Sequence, residues 1–209
     1  MTEPSDRRSL RKSLVYGGSV AAAAVALLLA YLLGAFEERG TIGSADVCPN
    51  VPDRQEAAKL LNSVLPQAAT YRFTERKDLT PDRHFNSRCN ADGGDDDLLI
   101  TLSAQMGSDR PWQEWADREI PPNSGGDRTY FNAGAKGISN AEVAAIWVPC
   151  YANEKTSKRP WNMTVFARSY GALEASDKKA RQTLITLATD FARKAHKDAK
   201  CDLPSKLPR

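Results

Sequence analysis

The sequence predicts an α+β protein: an N-terminal single transmembrane helix, then an antiparallel sheet with helices packed on one face, braced by two disulfides. Three observations lead there. Leu14 to Phe36 is an apolar run without a single charge, long enough as a helix to cross a bilayer core. Beyond it, segments of helical and strand periodicity follow in the order helix, strands, strands, helix, with hairpin-type turns between strands. All four cysteines lie in that second part, widely spaced and without a CxxC pair.

The apolar run sets the layout. Arg7, Arg8, Arg11 and Lys12 precede it, whereas Glu37, Glu38 and Arg39 follow it. Cations are retained on the cytoplasmic side, so the N-terminus is expected inside and the larger C-terminal part outside. A cleaved signal peptide is the competing reading. Its apolar core is shorter and its small-x-small site lies close behind; Leu33-Gly34-Ala35 is a poor site, and Gly43-Ser44-Ala45 lies well beyond the core. A retained anchor is therefore preferred. The expected organisation is a cytoplasmic basic tail at 1–13, the anchor at 14–36, a tether at 37–46, an extracytoplasmic α+β domain at 47–203 and a C-terminal tail at 204–209. Localisation follows: cell membrane, single-pass, with the C-terminal domain extracytoplasmic.

Within the domain, Pro49 and Pro52 lead into a helix from about Asp53 to Leu65. Asp53 suits its N-cap, Ala57, Leu60, Leu61 and Val64 form its apolar stripe, and Pro66 ends it. Thr70 to Glu75 alternates as a strand. His84 to Cys89 and Leu98 to Ala104 flank the turn Asn90 to Asp96 and predict a hairpin. Residues 107–127 form a long excursion with one short helix around Trp112 to Glu119. Thr129 to Asn132 and Glu142 to Tyr151 read as extended, with Ala133 to Gly137 as the connection between them. Trp161 to Ser169 is a further strand, and Ser176 to Lys200 a long helix. Ala180, Leu184, Leu187, Ala188, Phe191 and Ala195 fall on its buried face.

An even number of widely spaced cysteines in an exported domain predicts structural disulfides rather than a metal or redox site. Four cysteines permit three pairings. The nested one, Cys48–Cys201 with Cys89–Cys150, is favoured on the expectation that the two outermost helices pack antiparallel.

The chain is formally +3, and much of that charge sits in the N-terminal tail. The exported part is nearly balanced, which argues against a nucleic-acid partner. Membrane lipid is the expected partner of the anchor. The acidic turn Asp92, Asp95, Asp96, Asp97 lacks the alternating spacing of a calcium loop and reads as a solvated turn. His84 and His196 are the only histidines, no G-x-S-x-G occurs, and no catalytic residue, metal site or cofactor is expected. The best candidate for a binding site is the 107–127 excursion. Trp112 and Trp115, three residues apart, share one helix face, with Arg110 and Arg118 beside them. Lys155, Lys158 and Arg159 at a hairpin tip, and the lysines and arginines of the last helix, form two further positive features.

A short basic tail, an alanine- and leucine-rich anchor and a four-cysteine domain of mixed helix and strand resemble the build of small exported or membrane-anchored envelope proteins of high-GC actinobacteria, many of which have no assigned activity. The resemblance implies a location and carries over no functional residue. Unlike the lipoprotein members, Cys48 follows Ala45-Asp46-Val47, which does not suit lipid attachment. The functional expectation is a non-catalytic domain that binds another protein or a cell-envelope component. The alternative is a cell-wall-acting hydrolase with the 107–127 loop at its site.

Overall fold

A computed structural model describes residues 39–80, 84–94, 96–107, 111–122, 127–152 and 161–208, together with Val25 and Leu28, which are helical. The contacts divide the chain into two units, Met1–Glu38 and Arg39–Arg209. The basic tail and nearly all of the expected anchor lie outside the described residues. Among the described residues no helix is long and apolar enough to cross a membrane.

The second unit is an antiparallel α+β domain. Helix α1 (Arg54–Asn62) opens where expected, with the Asp53 carboxylate accepting the Glu56 N–H at 2.9 Å. Three strands follow as a meander: β1 (Arg72–Leu79), β2 (Phe85–Asp92) and β3 (Leu98–Met106). Helix α2 (Trp112–Glu119) then carries the chain to the far edge of the sheet, where β4 (Thr129–Phe131), β5 (Lys136–Ser139), β6 (Val143–Tyr151) and β7 (Trp161–Ser169) return strand by strand to the middle. Helix α3 (Asp177–Asp198) closes the domain. The strand order is β1-β2-β3-β7-β6-β5-β4, every neighbour antiparallel.

Strand β5 runs through Lys136 to Ser139, partly within the Ala133–Gly137 stretch read above as a connection. Gly134 has φ +63°, and a Cβ there would meet the Trp147 carbonyl; one on Gly137 would strike the Phe131 ring. The small residues that read as a turn let β5 lie flat between β4 and β6.

Alternation along each strand separates two layers. Phe85, Cys89, Ala91, Ile100, Leu102, Ile146, Val148, Met163 and Val165 face α1 and α3 and share a core with Leu61, Leu184, Leu187 and Phe191. Ile138, Val143, Ala145 and Trp147 face the other way and pack under Trp115, Ala116 and Ile120 of α2. The expectation of helices on one face is thus corrected: α1 and α3 share a face, and α2 roofs part of the opposite one. Its two tryptophans need a second apolar surface, and β6, apolar on both faces, supplies it.

The disulfide pairing is also corrected. The bonds are Cys48–Cys89 and Cys150–Cys201, sequential rather than nested. Cys89 on β2 and Cys150 on β6 are three strand spacings apart, about 14 Å, whereas bridged Cα atoms lie within about 7 Å. Cys48 is held over β2, where the Asn50 amide donates to Ser87 Oγ at 2.9 Å and to the Arg88 carbonyl at 3.0 Å. Cys201 meets the end of β6, whose Cys150 carbonyl accepts the N–H groups of Asp202 and Leu203.

Residues 39–46 of the expected tether are docked on the domain. Ile42 is buried and exchanges hydrogen bonds with the Asn62 amide, and Arg39 donates to the Asn62 and Leu65 carbonyls. Residues of the 204–209 tail likewise lie on α3, with Arg193 Nη2 donating to the Pro208 carbonyl at 2.8 Å. Asp198 ties the β1 edge to α3: Lys77 and Lys194 both donate to its carboxylate. Burial pushes the Asp198 pKa up, but those two lysines outweigh it and hold the group below the usual carboxylate range.

Candidate functional site

Helix α2 positions the candidate aromatic residues. Pro111 sits at its N-cap, where a missing N–H costs nothing, and its carbonyl accepts the Trp115 N–H. Trp112 and Trp115 share one face, with ring centroids 5.5 Å apart. Their environments differ sharply. Trp115 is 2% exposed, stands edge-on to Trp147 at 5.2 Å, and donates from Nε1 to Thr164 Oγ1 at 3.1 Å. It pins α2 to the sheet.

Trp112 is half-buried and faces outward from that pin. Tyr130 of β4 meets it edge-on at 5.7 Å and is itself 60% exposed. The Lys136 ammonium lies 5.4 Å from the centre of the Trp112 ring, and the Arg128 guanidinium 5.4 Å from that of Tyr130. Arg128 also donates to Asp117 at 2.7 Å, which joins β4 to α2. Each exposed cation–aromatic contact contributes about 0.5–1 kcal/mol, enough to orient the rings and little more. The outcome is a surface of ordered aromatic side chains edged by cations.

Of the residues expected at this site, Trp112 belongs to the exposed surface and Trp115 to its support. Arg118 is exposed, with Glu119 Oε1 at 3.7 Å. Arg110 lies outside the described residues. Tyr130, Lys136 and Arg128 join the cluster without any signal in the linear sequence, because pairing of β4 with β5 brings them beside α2.

Glu119 closes α2 on the inner side. Arg168 of β7 reaches its carbonyl and its carboxylate, at 3.4 Å each, and packs over the Phe166 ring at 5.5 Å. Burial raises the Glu119 pKa and outweighs the lowering by Arg168 and Arg118. The group is a buried acid held by a neighbouring cation.

The remaining candidates have local roles. In the acidic turn, Asp96 takes a positive φ and accepts from Arg72 at 2.6 Å; Asp95 lies outside the described residues. Among the described residues no group of three or more His, Cys, Asp or Glu is placed to hold a metal ion. His84 is exposed, and His196 Nε2 lies 2.9 Å from the Leu203 carbonyl. Lys155, Lys158 and Arg159 fall outside the described residues. Much of the positive charge of α3 is engaged internally: Lys179 donates to the Ser63 carbonyl, Arg181 to that of Asp127, and Lys194 to Asp198. A pocket of about 400 Å³ lies between the β5–β6 turn, at Asn140 and Glu142, and the first turns of α3, at Asp177, Lys178 and Arg181. Its lining sets three carboxylates, Asp127, Glu142 and Asp177, against the cations Lys178 and Arg181, and Asn140 Oδ1 is occupied by the N–H groups of Glu142 and Val143. No protein-family model, curated protein or solved structure matches the chain.

Proposed function

We propose that this chain is a single-pass, membrane-anchored protein whose extracytoplasmic domain binds another protein or a component of the cell envelope. The apolar run Leu14 to Phe36 and the cationic residues before it support the address. Two disulfides, which persist in oxidising compartments, support it independently.

The observation that carries the binding reading is the Trp112–Tyr130–Lys136 surface. Exposed aromatic side chains held by packing lose little conformational entropy on contact, which is why tryptophan and tyrosine dominate binding hot spots. Here Trp115 is the rigid support beneath, and the cations at the rim add polarity suited to an envelope component or a protein face. The catalytic alternative would need a second carboxylate working with Glu119, whose own carboxylate is engaged by Arg168.

The test is crosslinking of the full-length protein in its native membrane, wild type against Trp112→Ala and Tyr130→Ala, with mass identification of the products. A product formed by the wild type and depleted in both variants is the expected result. A product formed equally by all three would remove the aromatic surface from the interaction.

A further inference from the structure

The face of the sheet that α2 roofs continues past it, uncovered by α1 or α3, across β3, β2 and β1. A single register row runs from Tyr130 on β4 through Ala145, Phe166 and Ser103 to Arg88 and Arg76. At its end two arginines are direct cross-strand partners. Like charges so placed repel and destabilise the pairing unless something of opposite sign lies between them. Arg76 is partly neutralised, since its Nε donates to Asp78 at 3.0 Å. Arg88 is the one exposed residue of an otherwise buried or half-buried strand, and it has no carboxylate partner among the described residues.

The surroundings of the pair are polar and hydroxyl- or amide-bearing. Thr74 and Asn90 are cross-strand partners one step along, and Asn86 and Gln105 pair on the other side. Ser103, directly opposite Arg88, is 0% exposed with its Oγ unpartnered among the described residues, and Asn86 Oδ1 is buried in the same condition. This part of the face is about 14 Å across, three strand spacings from β7 to β1.

We propose that this arginine-bearing sheet face is a docking surface for an acidic glycan. Its carboxylates would be received by Arg88 and Arg76, and its hydroxyls by the flanking amides and hydroxyls. Guanidinium groups bind planar carboxylates through paired, charge-assisted hydrogen bonds. A protein partner fits less well, because around the arginine pair the facing positions of β1, β2 and β3 are polar, and the large apolar Leu98, opposite Asp92, stands at the end of the strands rather than at the centre of an interface. An anionic lipid surface fits less well too, because the flanking Thr74, Asn90, Asn86 and Gln105 offer partners for sugar hydroxyls that a layer of headgroup phosphates would leave unused. The inference rests on the reading of the domain as a binding module and names one class of ligand for it.

The experiment measures binding of polygalacturonate, with size-matched dextran as the neutral control, to the full-length protein in micelles of neutral detergent. The expected result is binding of the acidic polymer alone, weakened by added salt and by roughly tenfold in Arg88→Gln, with the fold checked by circular dichroism. Asp78→Asn, which releases Arg76 from its intramolecular partner, should strengthen binding and so reports even if the first variant folds poorly. Equal binding of dextran, or affinity indifferent to both substitutions, overturns the proposal. So does an Arg88-dependent attachment to phosphatidylglycerol vesicles without polymer binding. If polygalacturonate fails while Trp112→Ala still depletes the crosslinked product, this inference falls and the reading of the aromatic surface stands.

Discussion

Replacing Trp115 with alanine should unroof one face of the sheet. The indole is 2% exposed, and truncation of a buried tryptophan costs about 3–5 kcal/mol in transfer free energy and residual cavity. The substitution also strands the Thr164 hydroxyl, itself only 4% exposed, which adds about 1–3 kcal/mol if no water replaces Nε1. Because the neighbouring Trp112 can partly collapse into the space, about 4 kcal/mol is expected, equivalent to a fall in Tm of roughly 8–16 °C for a domain of this size. Urea unfolding of the full chain, followed by far-ultraviolet circular dichroism so that no indole is the reporter, measures it. A double-mutant cycle of Trp115→Phe with Thr164→Val separates the hydrogen bond from the loss of ring volume and should give a coupling of about 1 kcal/mol. Trp112→Ala, nearly one turn earlier on the same helix and half exposed, should cost much less than Trp115→Ala. Equal costs for the two alanine variants would refute the assignment of Trp115 as support and Trp112 as surface.

Two further outcomes follow from the electrostatics and the covalent bracing. The Glu119 pKa is raised on folding, so between its unfolded value and its folded one the folded state binds more protons, and stability declines as pH rises through that window. Glu119→Gln should therefore gain on the wild type, in urea midpoint, as pH rises from the ordinary glutamate range through the raised folded value, and parallel curves would contradict the burial of the carboxylate. Non-reducing digestion should release peptides joining Cys48 to Cys89 and Cys150 to Cys201. Removing either bridge with paired alanine substitutions should cost about 4 kcal/mol in the chain-entropy model; peptides joining Cys89 to Cys150 would refute the strand order itself.

Local elements were legible because their signals are local. The Asp53 cap and the stripe of α1, the full extent of α2, strand β7 and the buried face of α3 all follow from spacing, capping and punctuation within a few residues. The hairpin of β2 and β3 was readable from its Gly- and Asp-rich turn. What could not be read was which distant segments meet. Strand β5 is built from residues with turn chemistry and exists only because β4 and β6 supply hydrogen-bond partners on either side. The Trp112–Trp115 spacing marked two members of the aromatic cluster, but Tyr130, Lys136 and Arg128 reach it through strand pairing, which leaves no trace in linear spacing.

The same division runs through the whole chain. From the sequence alone came an apolar run long enough to span a bilayer, an even set of cysteines suited to bridging, and the order of helices and strands, since each depends on composition or short-range periodicity. Only the tertiary structure decided the rest. The meander β1-β2-β3 meets the returning meander at β3 and β7, which holds Cys89 and Cys150 three strands apart and rules out the nested pairing. It also decided that α2 roofs the face opposite α1 and α3, because β6 is apolar on both sides and buries two layers at once. Hydrophobic burial is non-directional, so periodicity shows which face of an element is apolar, and strand register selects the surface that covers it.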